Sequence, residues 1–342
     1  VAAEKGFRCS LYDINPFLVW FGNTKSANYP IKQLKSTVDK VEKDIIHISQ
    51  GDRWLPPIKN IDRWWDDETL STLSDIRYYL SSTFGEPSNQ IDVRNLLWVS
   101  FARVCIEVSA ADFSHVSVSF NDNRSQFDRS FIINLFIDYC KKIFASAERT
   151  IIGESHIYLG DSRELPIDEQ YDLVITSPPY PNRISYIREL RPYMYWLKFL
   201  SDSKDAGELD WKAIGGTWGS ATSKLMMWNQ QSDYLPSELL SVCSAIASAN
   251  SQNGETMSRY VHKFFDDIYL HLSNLRKRLN DDAQLNYIIG NSFFYDIEVD
   301  TESYLIDILQ KLGYTDIHSS AIRKRNSKKG LYEYLISARW KV

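Results

Sequence analysis

The stretch YDLVITSPPY, residues 171–180, decides the expected fold. Its first part, Tyr171–Thr176, is a short apolar run that is typical of a strand buried within a parallel sheet. The prolines that follow, Pro178 and Pro179, cannot donate hydrogen bonds to a neighbouring strand, so the strand has to end there. The sequence therefore predicts a buried parallel strand whose carboxyl end carries a stiff Ser-Pro-Pro-Tyr loop.

Two further predicted strands end in acidic residues. Asp13 closes the short run at 7–12, and Asn15 and the proline after it break the strand before a helix. Asp161 ends the run at 156–161. Ligands bind outside the carboxyl ends of parallel strands, so we expect both carboxylates at one site with the Ser-Pro-Pro-Tyr loop. Each aspartate alone is more often a turn or helix-capping residue, and their order along the chain carries the prediction.

Helices and strands alternate again toward the carboxyl terminus, and the last two predicted strands are joined by a basic stretch as a hairpin at the sheet edge. The sequence predicts an α/β fold, with a doubly wound, mostly parallel, Rossmann-like sheet, a C-terminal antiparallel hairpin and a helical insertion. The predicted elements are helices at 17–27, 187–199, 258–279 and 301–312 and strands at 7–12, 156–161, 171–176, 284–289, 317–323 and 331–340.

Two stretches interrupt this alternation. Residues 51–149 are predicted to form a mainly helical insertion, whose aromatic residues at helical spacing indicate core packing rather than stacking on nucleobases. Residues 201–255 are rich in Ser, Gly, Asn and Trp and are predicted to form an insertion of loops and short helices. The predicted core domain is then made of residues 1–50, 150–200 and 255–342.

The first residues are typical of a position inside a larger fold. Residues 1–5 read as the last turn of a helix that Gly6 ends. Helix, strand, acidic residue and helix in this order form the second unit of a doubly wound sheet. We therefore expect the first strand and its glycine-rich loop to lie upstream of Val1 or to come from another chain.

The composition sets outer limits on function. With 342 residues, 44% hydrophobic and 24% charged, the chain is typical of a globular protein and not of a disordered or fibrous one. The net charge of −5 argues against indiscriminate coating of nucleic acid but allows a local basic surface. The four cysteines are far apart, which favours neither a zinc site nor a disulfide framework. Without a signal segment or a long apolar run, we expect a protein of the prokaryotic cytoplasm with no membrane partner.

Residues 172–180 resemble motif IV of the DNA methyltransferases that act on exocyclic amino groups, in which Ser, Asp or Asn precedes Pro-Pro and an aromatic residue. Residues 160–162 resemble the short motif before this loop, and residues 13–16 resemble the family's cofactor-ribose motif. The resemblance covers about residues 1–30, 150–200 and 255–342. The Phe-x-Gly-x-Gly cofactor loop of the family is absent from the sequence, since Gly215-Gly216 and Gly290-Asn291 do not follow the correct strand.

The resemblance implies a cofactor, S-adenosylmethionine, and two sets of site residues. The implied catalytic residues are Ser177, Pro178, Pro179 and Tyr180, and the implied cofactor-binding residues are Asp13, Asn15, Asp161 and Ser162. The amino nitrogen of a nucleobase is a poor nucleophile because its lone pair is delocalised into the ring. We expect the Ser177 hydroxyl and the Pro178 carbonyl to accept its two protons while Tyr180 stacks on the base, so that the methyl group transfers directly without a covalent enzyme intermediate.

The implied partner is double-stranded DNA, from which the target base has to flip out. Weak candidates for phosphate contacts lie on the basic hairpin, and residues 201–255 are a candidate target-recognition region. A cognate restriction endonuclease, or a second subunit that supplies the glycine loop, is a further candidate partner. The basic candidates are Arg323, Lys324, Arg325, Lys328 and Lys329.

Three functions stay open on the sequence alone. Ser177 favours a cytosine-N4 DNA methyltransferase of a restriction-modification system, with adenine-N6 as its nearest variant. An RNA or protein methyltransferase with a related proline loop is the second reading. A split or non-catalytic DNA-binding subunit is the third, because the glycine loop is missing.

Overall fold

The computed structural model describes residues 1–48, 51, 54–112, 118–120, 126–165, 168–216, 220–250, 252–325 and 330–341. The fold is mixed α/β with both parallel and antiparallel strand pairs, which confirms the predicted class. The chain divides into two compact units. Unit 1 consists of Val1–Leu159 and Ile187–Ala206, and unit 2 of Gly160–Tyr186 and Gly207–Val342.

Unit 1 is mainly helical around one pair of parallel strands. The predicted helix end at the start is present as a 3-10 turn, Ala3–Lys5, which Gly6 terminates at φ 90°. The two parallel strands are Arg8–Asp13 and Glu154–Leu159, and Asp13 lies opposite Leu159. The elements in chain order are β1 (Arg8–Asp13), α1 (Pro16–Lys25), α2 (Ile31–Asp44), α3 (Asp67–Thr83), α4 (Arg94–Glu107), β2 (Ala111–Asp112), β3 (Ser119–Phe120), α5 (Arg129–Ser146), β4 (Glu154–Leu159) and most of α6 (Tyr186–Trp196), with 3-10 turns at Ile45–His47 and Ile61–Arg63.

Aromatic side chains form the core of unit 1. Trp196 is fully buried, and its ring lies 5.7 Å from Trp65 and 5.6 Å from Phe101, both edge to face. Arg77 is buried beside them, where its guanidinium lies 4.3 Å from the ring of Trp54 and pairs with Glu86. The tryptophans Trp64, Trp65 and Trp98 of the 51–149 stretch are buried, as the core-packing prediction expects, whereas Tyr78 is 45% exposed.

Unit 2 contains the larger sheet and the longest helix. The predicted hairpin at the carboxyl terminus is present, and the stretch at 201–255 is largely helical. A short hairpin that the sequence did not predict follows β6. The elements are β5 (Tyr171–Thr176), most of α7 (Ser203–Lys212), α8 (Ser220–Met227), α9 (Ser237–Ala249), α10 (Gly254–Leu275), a 3-10 turn (Arg276–Arg278), β6 (Leu279–Gly290), β7 (Ser292–Phe294), β8 (Ile297–Val299), α11 (Thr301–Lys311), β9 (Thr315–Lys324) and β10 (Tyr332–Trp340).

The four-stranded sheet of unit 2 has the strand order β5-β6-β10-β9. β5 and β6 are parallel, with Thr176 opposite Tyr287, and β10 is antiparallel to both β6 and β9. The loops that follow β5 and β6 therefore emerge at the same end of the sheet. The side chains of Leu285 and Tyr287 on β6 and of Ile336 on β10 are buried. Their burial fixes the register of the strand pairing.

The prediction that Tyr171–Thr176 is a buried strand is wrong in one respect. The strand has the predicted bounds and is parallel, but Leu173 is 52% exposed and Ile175 is 70% exposed. β5 is hydrogen-bonded on one edge only, to β6, within the residues that the structure describes. An edge strand is covered less than a central one, and an apolar run in the sequence cannot distinguish the two.

Candidate functional site

The Ser-Pro-Pro-Tyr loop begins where β5 ends. Ser177 is exposed, and its Oγ lies 3.5 Å from the hydroxyl of Tyr180. Pro178, Pro179 and Tyr180 are half-buried. The loop closes with a hydrogen bond of 2.8 Å from the Asn182 amide to the Tyr180 carbonyl. The hydroxyl that the sequence proposed as a proton acceptor is therefore presented to solvent at the carboxyl end of a parallel strand.

Gly290 allows the Tyr180 ring to lie against the backbone of the neighbouring strand end. A Cβ atom at Gly290 would lie 3.0 Å from both Cδ2 and Cε2 of Tyr180 and 3.2 Å from Cζ of Arg325. Real Cβ atoms rarely come this close to their neighbours, so glycine is the residue that fits. The register explains the contact, because Tyr180 and Gly290 follow the paired residues Thr176 and Tyr287 by four and three positions.

Arg325 lies next to the contact between Tyr180 and Gly290. Its guanidinium carbon is 5.5 Å from the centre of the Tyr180 ring, and its Nη2 donates to the carbonyl of Asn291. The Asn291 side chain is buried and ties the hairpin together, since its Oδ1 accepts from the Tyr332 amide at 2.8 Å and its Nδ2 donates to the Gly330 carbonyl at 3.1 Å. The Tyr180 ring thus contacts a glycine backbone and lies near a positioned guanidinium.

Helix α10 supports the proline side of the loop. Tyr260 is buried, and its hydroxyl accepts a hydrogen bond of 3.0 Å from the Arg183 amide. Burial raises the pKa of Tyr260, so this group stays a neutral hydroxyl. At Gly215, an added Cβ would lie 3.6 Å from Pro179 Cβ and 3.5 Å from the ring of Phe264, one turn further along the helix.

Asp161 is held in an ion-pair network with the same helix. Arg163 donates to both carboxylate oxygens of Asp161, at 2.6 Å from Nη2 and 2.9 Å from Nε, and its Nη1 donates to Asp267 at 2.6 Å. Lys263 donates to the other oxygen of Asp267 at 2.6 Å. Burial alone raises the pKa of Asp161, but the hydrogen bonds and charge of Arg163 outweigh it and hold the pKa below its ordinary value.

The turn at Ser162 is fixed by His271 of α10. The neutral imidazole donates from Nδ1 to the Ser162 carbonyl and accepts at Nε2 from the hydroxyl of Tyr287, each at 2.8 Å. Helix α10 therefore contacts both predicted site segments of unit 2. Tyr260 bonds to the chain just after the Ser-Pro-Pro-Tyr loop, and Asp267 is bridged to Asp161 by Arg163. Seven residues separate these two supports, which is about 10 Å along a helix.

Asp13 and Asn15 lie in unit 1 and form a turn and a helix cap. Asp13 Oδ1 accepts from the Asn15 amide at 2.7 Å, and Asn15 Oδ1 accepts from the Phe17 amide at 3.0 Å as the N-cap of α1. Asn15 is buried and its Nδ2 donates to the sulfur of Met194. Burial raises the pKa of Asp13 against the opposing effect of the backbone amides. That Asp13, Asp161 and the Ser-Pro-Pro-Tyr loop meet at one site stays a prediction.

The basic hairpin divides into residues with different partners. Arg323 pairs with Glu333 through Nε at 2.6 Å and Nη2 at 3.2 Å, whereas Lys324 is exposed at the end of β9. Arg325 contacts the Tyr180 ring as described above. Lys328 and Lys329 lie outside the described residues.

Among the described residues, the side chains form neither a disulfide nor a cluster that could bind a metal ion. The four cysteines are unpaired, and Cys105, Cys140 and Cys243 are buried. Over the residues with described positions, no group of three His, Cys, Asp or Glu side chains could hold a metal ion, and no helix is long and apolar enough to cross a membrane.

The residues that the sequence analysis missed are those that shape the loop from other elements. Gly290, Arg183 and Tyr260 contact the loop or its continuation, but each lies on a different strand end, turn or helix. One signal for them is present in the sequence, because the Gly290-Asn291 pair stands at the end of a predicted strand. Its resemblance to a cofactor loop does not indicate the contact with Tyr180.

Comparison with protein-family models, with curated protein sequences and with solved structures found no match to this chain.

Proposed function

We propose that this chain is an S-adenosylmethionine-dependent DNA methyltransferase that transfers a methyl group to the N4 amino group of a flipped cytosine, with adenine N6 as the alternative target. The observation that carries the proposal is the Ser-Pro-Pro-Tyr sequence at the carboxyl end of β5, beside the parallel strand β6. The family resemblance of residues 172–180 gives this loop its proposed chemistry.

The geometry of the loop is compatible with hydrogen bonding to an amino group of a nucleobase. Ser177 is exposed, so its hydroxyl oxygen is available to accept a hydrogen bond from an amino group of the substrate. The two prolines fix the direction of the Pro178 carbonyl beside it. Acceptors that localise the nitrogen lone pair lower the barrier because they act where charge develops. The Tyr180 ring is braced by Gly290 and Arg325, which supports its proposed role as a stacking surface for the base.

The proposed cofactor residues fit S-adenosylmethionine in part. Asp13 is a half-buried carboxylate that follows a parallel strand, which suits hydrogen bonds from ribose hydroxyls. Both oxygens of Asp161 accept from Arg163, and the Asn15 side chain caps α1, so these two side chains would serve the cofactor through the shape of their turns. When bound, the cofactor would supply the electrophilic methyl group.

The proposal includes the finer fold prediction, a doubly wound, Rossmann-like architecture. Two parallel strand pairs, β1 with β4 and β5 with β6, support it, because parallel strands require long crossover connections. Helices α1–α5 lie in the chain between the first pair, and α6–α10 lie between the second pair. DNA as substrate, a restriction-modification setting in the cytoplasm and a second subunit that supplies the glycine loop stay predictions.

The experiment is transfer of tritium from labelled S-adenosylmethionine, with duplex DNA, single-stranded DNA and RNA offered in parallel and the product digested to nucleosides. Label in N4-methylcytosine supports the first reading, and label in N6-methyladenine moves the assignment to adenine. Label that appears only in RNA, or in protein, would refute the DNA assignment.

The residue test is Ser177→Ala, with Ser244→Ala as the matched control. Ser244 is exposed on α9 and its hydroxyl bonds only within its own helix, to the Leu240 carbonyl at 3.0 Å. We expect Ser177→Ala to lower kcat by about 100-fold, as for loss of one polar group at a reacting centre, with little change in cofactor affinity. Equal loss of kcat and of cofactor affinity would contradict the assigned role of the hydroxyl.

A further inference from the structure

A cavity of about 350 Å³ lies in unit 2 next to the Tyr180 and Arg325 contact. This volume is at the lower end of the range for small-ligand pockets, so it suits one nucleotide-sized group and not a duplex. Its lining includes three aromatic residues, two arginines and a buried serine. These residues are Arg183, Ser292, Phe293, Phe294, Tyr295 and Arg325.

The lining is positively charged. It contains Arg183 and Arg325 and no acidic residue. The nearest carboxylate that acts on Arg325 is Glu333, which already accepts two hydrogen bonds from Arg323. Burial lowers the pKa of Arg325, as expected for a cation whose hydration has been partly removed. A partly desolvated guanidinium without a dedicated carboxylate favours an anionic ligand.

Two polar atoms of the pocket residues have no hydrogen-bond partner in the described structure. Ser292 is 4% exposed, and its Oγ is buried and unpartnered. The Nε of Arg325 is likewise buried without a partner, although its Nη2 bonds to Asn291. A buried hydroxyl that is left without a hydrogen bond is destabilising, and such groups call for a functional explanation. Both atoms belong to residues that line the cavity, which points to a polar ligand there.

Arg183 occupies a strained backbone position. Its φ is 63°, in the left-handed region that favours glycine, and its amide bonds to the hydroxyl of Tyr260. Arg183 is exposed and is one of the residues that line the cavity. A strained residue that carries a charge at a cavity, three positions after Tyr180, fits a binding role better than a structural one.

We propose that this cavity binds the nucleotide next to the target base, with its phosphate at Arg183 and Arg325 and its base against the aromatic residues of the lining. The inference rests on the proposed function, because it takes the substrate strand to pass Tyr180. The Ser292 hydroxyl donates to a phosphate or base oxygen of that nucleotide. Phosphate is recognised by paired guanidiniums, and nucleobases stack on aromatic rings, so both halves of one nucleotide find partners.

The test is binding of a fluorescein-labelled, mixed-sequence 20-nucleotide DNA, single-stranded and duplex, followed by anisotropy at several salt concentrations. We expect Arg183→Gly and Arg325→Met each to weaken binding about tenfold and to reduce the salt slope by about 0.7–0.9 per lost phosphate contact. Arg339→Met is the control, since Arg339 pairs with Asp282 away from the cavity lining. Arg183→Gly suits the strained φ, so thermal unfolding should show an unchanged or raised Tm for this variant.

The outcomes separate the pocket from the proposed reaction. DNA affinity that is unchanged in both variants, or no DNA binding by the wild-type protein, overturns the pocket inference whatever the methylation result. DNA binding that depends on Arg183 without any transfer of methyl label leaves the pocket in place and overturns the proposed function. Competition by 2′-deoxycytidine 5′-monophosphate but not by 2′-deoxycytidine is the expected sign of a phosphate requirement, and equal competition by both would contradict it.

Discussion

Replacing Arg163 by Met is expected to destabilise unit 2 more than the loss of any surface ion pair. Arg163 makes hydrogen bonds to Asp161, to Asp267 and to the Lys212 carbonyl, which lies 2.7 Å from its Nη2. Its side chain is 18% exposed and that of Asp267 is 4% exposed. Methionine keeps an unbranched, flexible side chain but is shorter and removes the charge and every donor.

The magnitude follows from the charge balance of the network. Two carboxylates, Asp161 and Asp267, face two cations, Arg163 and Lys263, so the network is neutral. Without Arg163 the net charge becomes −1, with Asp267 buried and only Lys263 beside it. Breaking a buried pair costs about 3–5 kcal/mol. Because Asp161 is 22% exposed and Lys263 remains, we expect a loss near the lower end, about 3 kcal/mol in the free energy of unfolding.

Urea unfolding followed by circular dichroism measures this loss, and hydrogen exchange of the β5 and β6 amides shows whether it arises in unit 2. The matched control is Arg278→Met, because the partner of Arg278, Asp168, is 89% exposed. An exposed pair contributes about 0–1 kcal/mol, so the control should be nearly neutral. A cost below about 1 kcal/mol for Arg163→Met, or equal costs for both variants, would refute the reasoning that the network is buried and charge-balanced.

Three further changes test other contacts. Gly290→Ala puts a methyl group 3.0 Å from the Tyr180 ring, so we expect a cost of about 1–3 kcal/mol in urea unfolding together with weaker DNA binding; an unchanged protein would contradict the close approach. His271 is half-buried and neutral, and desolvation lowers its pKa, so an unfolded chain takes up a proton that the folded one does not as the pH falls below about 6.5. The free energy of unfolding should therefore fall by up to about 1.4 kcal/mol per pH unit below that value, and His271→Gln should flatten this dependence while the exposed His318→Gln leaves it intact. Asp66→Ala removes the N-cap that accepts from the Thr69 amide at 2.8 Å and should cost unit 1 about 1 kcal/mol, against little change for Asp39→Asn, an exposed position inside α2.

Local chemistry made much of the secondary structure predictable from the sequence. Gly6 at positive φ and the prolines at 178 and 179 mark ends of elements that depend on neighbouring residues alone. The strand at 171–176 and its parallel orientation followed from the same signals. The short hairpin of β7 and β8 was missed, since three-residue strands give too little alternation to be recognised.

Burial and partnership could not be predicted in the same way, because they depend on which surfaces face each other. An apolar run gave no sign that β5 is an edge strand with Ile175 70% exposed. The sequence likewise gave no sign that Arg163 takes both oxygens of Asp161, or that Asn15 is used as a helix cap. A carboxylate in a motif looks the same in the sequence whether it is open to a ligand or paired with an arginine.

By itself, the sequence determined the α/β class, the approximate positions of four helices and six strands, and the Ser-Pro-Pro-Tyr loop at a strand end, since these depend on backbone preferences over a few residues. The tertiary structure alone decided that Gly290, Arg325 and Tyr260 surround that loop and that Arg183 and Ser292 share a cavity beside it. Those residues are up to 142 positions apart in the chain, from 183 to 325, and only the pairing of β5 with β6 and the packing of α10 bring them together.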